Sequence, residues 1–147
     1  MIEIIEMQPF HVPWIAELEK ICFHDPWSER SIASELKNPL SHWLVAMDGE
    51  KLVGYVGSQT VLGETDMMNV AVLPRARRQG IAQQLILELV ARLKQQGSHC
   101  LSLEVRPSNA PAVALYQGLG FSQVGRRPNY YRHPKEDGLI LRKEWEL

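Results

Sequence analysis

The stretch Thr65–Arg92, TDMMNVAVLPRARRQGIAQQLILELVAR, joins a short apolar run, a basic glycine-containing turn and a long amphipathic segment. Met67–Leu73 reads as a strand that Pro74 closes, because proline has no amide N–H to give to a ladder. Beyond the turn, Ile81, Leu85, Leu89 and Leu93 recur at i, i+4 spacing, Ile86 and Val90 widen the stripe, and Gln83, Gln84, Glu88 and Lys94 keep the other face polar. That pattern predicts a helix. Between the two lies Arg75-Ala76-Arg77-Arg78-Gln79-Gly80-Ile81-Ala82. The first turn of a helix has four amide N–H groups without intrahelical partners, beside the positive end of its dipole, so an anion is favoured there. Gly80 lets a phosphate approach the backbone closely, Ala82 is nearly as small, and three arginines add charge and, if turned inward, donor forks. The turn lacks the Gly-Lys-Ser/Thr ending of a P-loop and the Gly-x-Gly-x-x-Gly of a dinucleotide site. A structural turn with solvated arginines would have the same composition, so both readings stand at this level.

With 147 residues, 45% hydrophobic and 22% charged, the chain is expected to form one globular domain over 1–147 with its own core. Its net charge of -1 supplies no basic field for nucleic acid. MIEIIEMQPF is acidic where a signal peptide would be basic, and no apolar run approaches the roughly 18 residues of a membrane span. A cytoplasmic protein that binds neither nucleic acid nor membrane is expected, and a monomer. Cys22 and Cys100 are too few and too far apart for a disulfide framework or a CxxC motif, so buried free thiols are expected. His11, His24, His42, His99 and His133 are scattered without zinc-like spacing, and no metal is expected.

Along the chain, Glu3–Met7 reads as an edge strand, and Pro9 and Pro13 precede a helix over Val12–Cys22 whose inward face is read as Trp14, Leu18, Ile21 and Cys22. Ser28 can cap a second helix, with Glu29 in its first turn, Ile32 and Leu36 inward, and Asn38-Pro39 at its end. Trp27 beside that cap either lines a substrate groove or plugs the gap between two short helices. His42–Met47 and Leu52–Thr60, joined by Asp48-Gly49, form a hairpin that Gly63-Glu64 extends into the Met67–Leu73 strand. Gly97 ends the long helix, and Leu101–Arg106 returns parallel to the strand before it. Ser108 or Asn109 caps a further helix that stops at Gly120. Phe121–Gly125 is a strand, Arg126–Asp137 a polar loop and Leu139–Trp145 a last strand. The sum is a mixed α/β chain of α+β type, antiparallel except for one parallel step.

In the returning strand Leu101, Leu103 and Val105 share one face while Cys100, Ser102, Glu104 and Arg106 share the other. Glutamate is a poor strand former, and a carboxylate on a central strand is solvated, paired or functional. A salt bridge to Arg106 or a later arginine and a catalytic role are both open from the pattern.

Arg77-x-x-Gly80-x-Ala82 after an apolar strand resembles the acetyl-CoA pyrophosphate motif of the GNAT acetyltransferases. Leu103-Glu104-Val105-Arg106, Ser108-Asn109, Ala114-Leu115-Tyr116 and Leu119-Gly120-Phe121 resemble the C-terminal half of the same family. Pro26-Trp27-Ser28, Asn69-Val70-Ala71-Val72 and Arg126-Arg127-x-x-Tyr130-Tyr131 with Pro134-x-Glu136-Asp137 are similar to its bacterial RimI group, which acetylates the N-terminal alanine of a ribosomal protein, small-subunit protein eighteen. The resemblance runs from Asp25 to Leu141. It departs at Ala82, where glycine is commoner, at Pro107 and Pro111, and at Gly138, where alanine is expected.

The resemblance implies the GNAT fold, a mostly antiparallel central sheet splayed at one parallel pair and flanked by about four helices, and acetyl-CoA as acetyl donor without a metal. It implies Glu104 as general base and Tyr116 as general acid. An N-terminal α-amine has a pKa of about 7.7–8.0 and must lose its proton before it attacks a thioester, while the departing thiolate must gain one. Backbone groups of Val70, Ala71 and Val72 are then expected to hold the pantetheine, Arg77, Arg78, Gln79, Gly80, Ile81, Ala82 and Gln83 the pyrophosphate, and Asn109 to touch the cofactor. Trp27, Tyr130, Tyr131, Glu136 and Asp137 are expected to line the entrance for an extended protein N-terminus. Two other readings remain: a GNAT enzyme acting on a small amine or a lysine side chain, and an acyl-CoA-binding sensor without turnover.

Overall fold

The computed structural model describes residues 1–146. Its sheet has seven strands in the order β1-β2-β3-β4-β5-β7-β6, with β1 at Ile2–Glu6, β2 at Ser41–Asp48, β3 at Lys51–Val61, β4 at Glu64–Val72, β5 at Cys100–Val105, β6 at Ser122–Arg132 and β7 at Lys135–Glu144. Four α-helices accompany it, α1 at Val12–Cys22, α2 at Glu29–Glu35, α3 at Ile81–Gln95 and α4 at Ala110–Gly118. All neighbouring strands pair antiparallel except β4 and β5. This is the architecture expected from the sequence. No helix among the described residues is long and apolar enough to cross a membrane.

Turn chemistry sets the front of the sheet. Asp48 pairs with Lys51 across Gly49-Glu50, and Gly49 takes φ +63°, a value open to glycine at little steric cost. Val61 pairs with Glu64 across Leu62-Gly63, both at positive φ, so the next tight turn includes an exposed leucine in the left-handed region. Helices cover both faces. Leu85, Leu89 and Leu93 of α3 pack with Leu44, Val56, Leu101 and Leu103. On the opposite face Ile15 and Leu18 of α1 and Ile32 of α2 pack with Trp43, Val45 and Tyr55.

The feature that matters most for the site is a broken ladder. β4 and β5 pair only at Glu64 with Cys100, Thr65 with Leu101 and Asp66 with Ser102. β4 then continues to Val72 and β5 to Val105 without facing each other. The break begins beside a bulge. Asn69 pairs with Gly57 and Met67 with Ser58, so Met68 has no partner on β3, and a bulged strand bends away from its former line.

Three local expectations are corrected. The buried face of α1 is Val12, Ile15, Ala16, Leu18 and Glu19, while Trp14 and Ile21 are exposed; the stripe at 12, 15, 16 and 19 follows helical spacing but includes a carboxylate, which the apolar pattern passed over. Leu36 is the C-cap of α2 and is exposed, since the helix ends at Glu35. Arg126–Asp137 is not a loop but most of a β6–β7 hairpin, paired from Arg126 with Leu139 to Arg132 with Lys135. Its side chains are polar and mostly solvent-facing on β6, so no hydrophobic alternation marks it as strand.

Gly57 leaves room for the buried Trp43. A Cβ on Gly57 would lie 2.4 Å from Trp43 Cε2, and the indole cannot easily move because it stacks on Tyr55 with centroids 5.5 Å apart and planes 5° from parallel. Gly57→Ala is therefore expected to destabilise the fold by about 1–3 kcal/mol, read as a lowered midpoint in urea unfolding with an unchanged slope.

Candidate functional site

The splayed strands open into a cleft of about 600 Å³. Its walls are Met67, Met68, Asn69 and Val70 of β4, Glu104 and Val105 of β5, Asn109, Ala112 and Tyr116 at and along α4, the segment after α1 including Trp27, and Tyr130–His133 near the end of β6. Trp27, Val70, Glu104, Asn109, Tyr116, Tyr130 and Tyr131 thus converge from five separate stretches of chain. Glu136, Asp137 and the turn 77–83 stand outside this lining.

Glu104 projects from β5 and its Oε1 accepts from Nε of Arg127 on β6 at 3.0 Å. The salt bridge left open by the sequence is thus formed with the later arginine. Arg106 instead donates to the carbonyls of His133 and Pro134 and to Glu136 Oε1, and its guanidinium lies over the Tyr131 ring at 4.3 Å. Glu136 also accepts from the amide and hydroxyl of Ser108, and these bonds, the Ser108 hydroxyl foremost, hold its carboxyl below the usual carboxylate range. Asp137 accepts from Arg126 and from the Asn129 amide. Both carboxylates expected at the entrance are therefore engaged in holding the β6–β7 hairpin in place.

Tyr116 is buried on α4, which Asn109 caps by accepting from the Ala112 amide. Its ring meets Phe121 edge-on at 5.7 Å, and its hydroxyl makes no hydrogen bond among the described residues while the side chain lines the cleft. Burial, with Tyr131 nearby, pushes its phenol up. Burial likewise pushes Tyr131 up to about 12, with Tyr130 and Glu104 adding to it. The tyrosines of the cleft are therefore neutral donors at physiological pH.

Beneath the β4 wall lies a group that the sequence reading missed. Glu19 is fully buried, with no cation bonded to it among the described residues. Its Oε2 accepts from the Tyr55 hydroxyl and from Asn69 Nδ2 at 2.9 Å, and its Oε1 accepts from the Trp27 amide at 2.8 Å. One carboxylate thus links α1, the loop before α2, β3 and β4. Burial raises its pKa and these three hydrogen bonds oppose that rise. The signal in the sequence was its position, four residues after Ile15 and seven after Val12.

At the end of β4, the Val70 amide donates to Asn69 Oδ1 at 3.1 Å, and the Val72 carbonyl accepts from Arg77 Nε at 3.1 Å and from the Cys22 thiol. Ala71 is buried and packs toward α1. Arg77, expected to face a phosphate, is turned back onto β4 and Cys22. The turn that follows does present free donors. The first amide bond of α3 is Gln84 to the Gly80 carbonyl, so the N–H groups of Ile81, Ala82 and Gln83 have no acceptor among the described residues. Arg78 and Gly80 take φ +66° and +74°, an arrangement that gathers successive N–H groups into an anion-binding concavity. A Cβ on Gly80 would meet no atom within 4 Å, so the space above it is open. Arg78, Gln79 and Gly80 are exposed beside it.

Residues 12–121 match the Acetyltransferase (GNAT) family. The chain is 38% identical over 128 residues to the putative [ribosomal protein bS18]-alanine N-acetyltransferase of Bacillus subtilis (strain 168), covering 86% of this chain and 85% of that one. It is 36% identical over 140 residues to the [ribosomal protein bS18]-alanine N-acetyltransferase of Escherichia coli (strain K12), covering 94% of each. The crystal structure of the ribosomal-protein-S18-alanine N-acetyltransferase from Escherichia coli superposes with a TM-score of 0.92 at 32% identity, over all of this chain and 96% of that one.

The Glu19 network makes a prediction about pH. With its folded pKa raised, Glu19 contributes stability that is present in full below its unfolded value and is lost as pH rises through the folded value. Glu19→Gln cannot titrate. The unfolding free energy of the natural chain minus that of Glu19→Gln is expected to fall between about pH 5 and about pH 8, measured by urea titration at each; a difference that stays flat or grows would contradict the raised pKa.

Proposed function

This chain belongs to the GNAT acetyltransferase family, and from that premise we propose that it transfers the acetyl group of acetyl-CoA to the α-amine of a protein N-terminus, the N-terminal alanine of ribosomal protein bS18. The observation that carries the chemistry is the convergence of Glu104, from β5, and Tyr116, from α4, on the one cleft where β4 and β5 part. The relatives named above support the choice of acceptor.

The residues present fit a CoA thioester. The free N–H groups of Ile81, Ala82 and Gln83, with Arg78, Gln79 and the open face of Gly80, hold the pyrophosphate. Val70 and Val72 border the route by which the pantetheine reaches the cleft, with Asn109 on the far wall. Arg77 acts one step back, holding the end of β4 in line. Glu104 takes a proton from the incoming ammonium, directly or through water. Its Oε1 is steadied by Arg127 while Oε2 accepts no hydrogen bond among the described residues, which leaves one oxygen for that task. The neutral amine then attacks the thioester carbonyl. Tyr116, kept protonated by its burial, gives its proton to the departing sulfur as the C–S bond breaks and regains one from the nitrogen of the new amide, which sheds its second proton at that step. Trp27, Tyr130 and Tyr131 supply an amphipathic wall for the peptide, and Glu136 and Asp137 act through the hairpin they hold rather than by contact.

Mass spectrometry of acetyl transfer to a short peptide beginning Ala-Arg, beside the same peptide with a blocked α-amine and an added lysine, tests the reading. Product on the free N-terminus alone is expected. Equal product on the lysine would favour the side-chain acceptor, and none on either, with acetyl-CoA still bound, a small amine or a sensor. Glu104→Gln and Tyr116→Phe are each expected to lower kcat by about 10²–10⁴ while acetyl-CoA binding, followed by calorimetry, stays within about threefold.

A further inference from the structure

At the mouth of the cleft three side chains meet that nothing above uses. His24 and Asp25 follow α1, and His133 sits at the turn between β6 and β7, so the two walls of the cleft contribute to one cluster. The imidazoles of His24 and His133 have centroids 4.5 Å apart at 43°. Asp25 Oδ2 is 3.8 Å from His133 Nε2, and one ligand atom from each of the three lies within 4.8 Å of the others. None of the three side chains has a hydrogen-bond partner among the described residues.

Exposed side chains gather by chance, but here the backbones beneath them are fixed. The His24–Asp25 segment is clamped on both sides by Glu19, whose main-chain carbonyl accepts from the Phe23 amide and whose carboxylate accepts from the Trp27 amide. The His133 turn is clamped by Arg106, which donates to the carbonyls of His133 and Pro134 at 3.1 and 2.7 Å. Two imidazoles and a carboxylate are the donor set that zinc takes in three-ligand sites, leaving a fourth position for water. Donors about 2.0–2.1 Å from a tetrahedral zinc stand about 3.4 Å from one another, so the three, all within 4.8 Å of one another, have at most about 1.4 Å to close, a movement within reach of side-chain rotation.

We propose that His24, Asp25 and His133 form a zinc site bridging the two walls at the acceptor end of the cleft, and that zinc there obstructs the peptide. The site is regulatory: it lies at the rim, and the chemistry assigned to Glu104 and Tyr116 does not call on it. The inhibitory half of the proposal rests on the acceptor side assigned above; the metal site itself does not. Zinc then competes with the peptide and leaves acetyl-CoA binding at the α3 turn unaffected.

The metal alone tests the site. Titration of the purified chain with Co²⁺ is expected to give a saturable visible d–d spectrum without a thiolate charge-transfer band, displaced by one equivalent of Zn²⁺. Zinc affinity, measured against a chelating dye, is expected to fall at least about tenfold in His24→Ala and in His133→Ala and to be unchanged in Cys22→Ser, the control for the thiol on the same wall. A thiolate band, uptake that survives the double histidine variant, or no saturable uptake overturns the site. Given a working transfer assay, zinc is expected to raise the peptide KM with kcat and the acetyl-CoA KM unchanged; inhibition that persists in His133→Ala, or that competes with acetyl-CoA, overturns the inhibitory role. Absence of transfer to any peptide would instead sink the acceptor reading while the cobalt spectrum still decides the site.

Discussion

A parallel pair of strands that stops pairing after three residues is the constraint on which this molecule turns. Backbone N–H and C=O groups inside a protein must find partners, so a ladder cannot be interrupted in a sheet unless something else reaches the exposed edges. Here β4 remains tied to β3 along its length, except at Met68, and β5 remains tied to β7. Each strand therefore keeps one paired edge and offers the other to the cleft. The helix that connects them begins with unpaired amides at the same end. The cleft and the turn with its free amides are thus two results of one topological step, a parallel crossover whose strands diverge.

Keeping β4 bent requires support from below, and Glu19 supplies it. A lone buried carboxylate is costly in a medium of low polarity, and three directed hydrogen bonds offset that cost only while Tyr55, Asn69 and Trp27 hold their places. The dependence runs both ways. The carboxylate fixes the Asn69 side chain next to the bulge and the Trp27 backbone on the facing wall, so the width of the cleft is coupled to the packing of α1. The hairpin on the other side is held by a separate set, in which Arg106 and Ser108 grip Glu136. Two buried or half-buried polar networks therefore set the two walls independently.

Where local pattern coincided with structure, the chain was readable. The strand–turn–helix at 65–92, the two tight turns of the front meander and the alternation of β5 all carry their own physics, and each appears where the pattern placed it. The β6–β7 hairpin was not readable, because its solvent-facing pairs need no hydrophobic alternation and its register depends on contacts with Arg106 and Ser108. Glu19 was hidden for the opposite reason: it occupies an apolar stripe, and only tertiary neighbours explain its presence. The convergence of Trp27, Glu104, Asn109, Tyr116 and Tyr131 on one cleft came through a family likeness. No spacing along the chain brings His24 to His133, and that neighbourhood belongs to the fold alone.

Of the four tryptophans, Trp27 is the one on the cleft wall. It meets the buried Trp43 edge-on at 5.4 Å and 65°, while Trp14 faces solvent and Trp145 lies under Lys94 at the opposite end of β5 and β7. Two indoles at that distance and angle couple their electronic transitions, and the surroundings of Trp27 become less polar when water leaves the cleft. The protein thus carries a native optical probe on its cleft wall, and near-ultraviolet dichroism and emission colour are the signals through which filling of the cleft would be read without any attached dye.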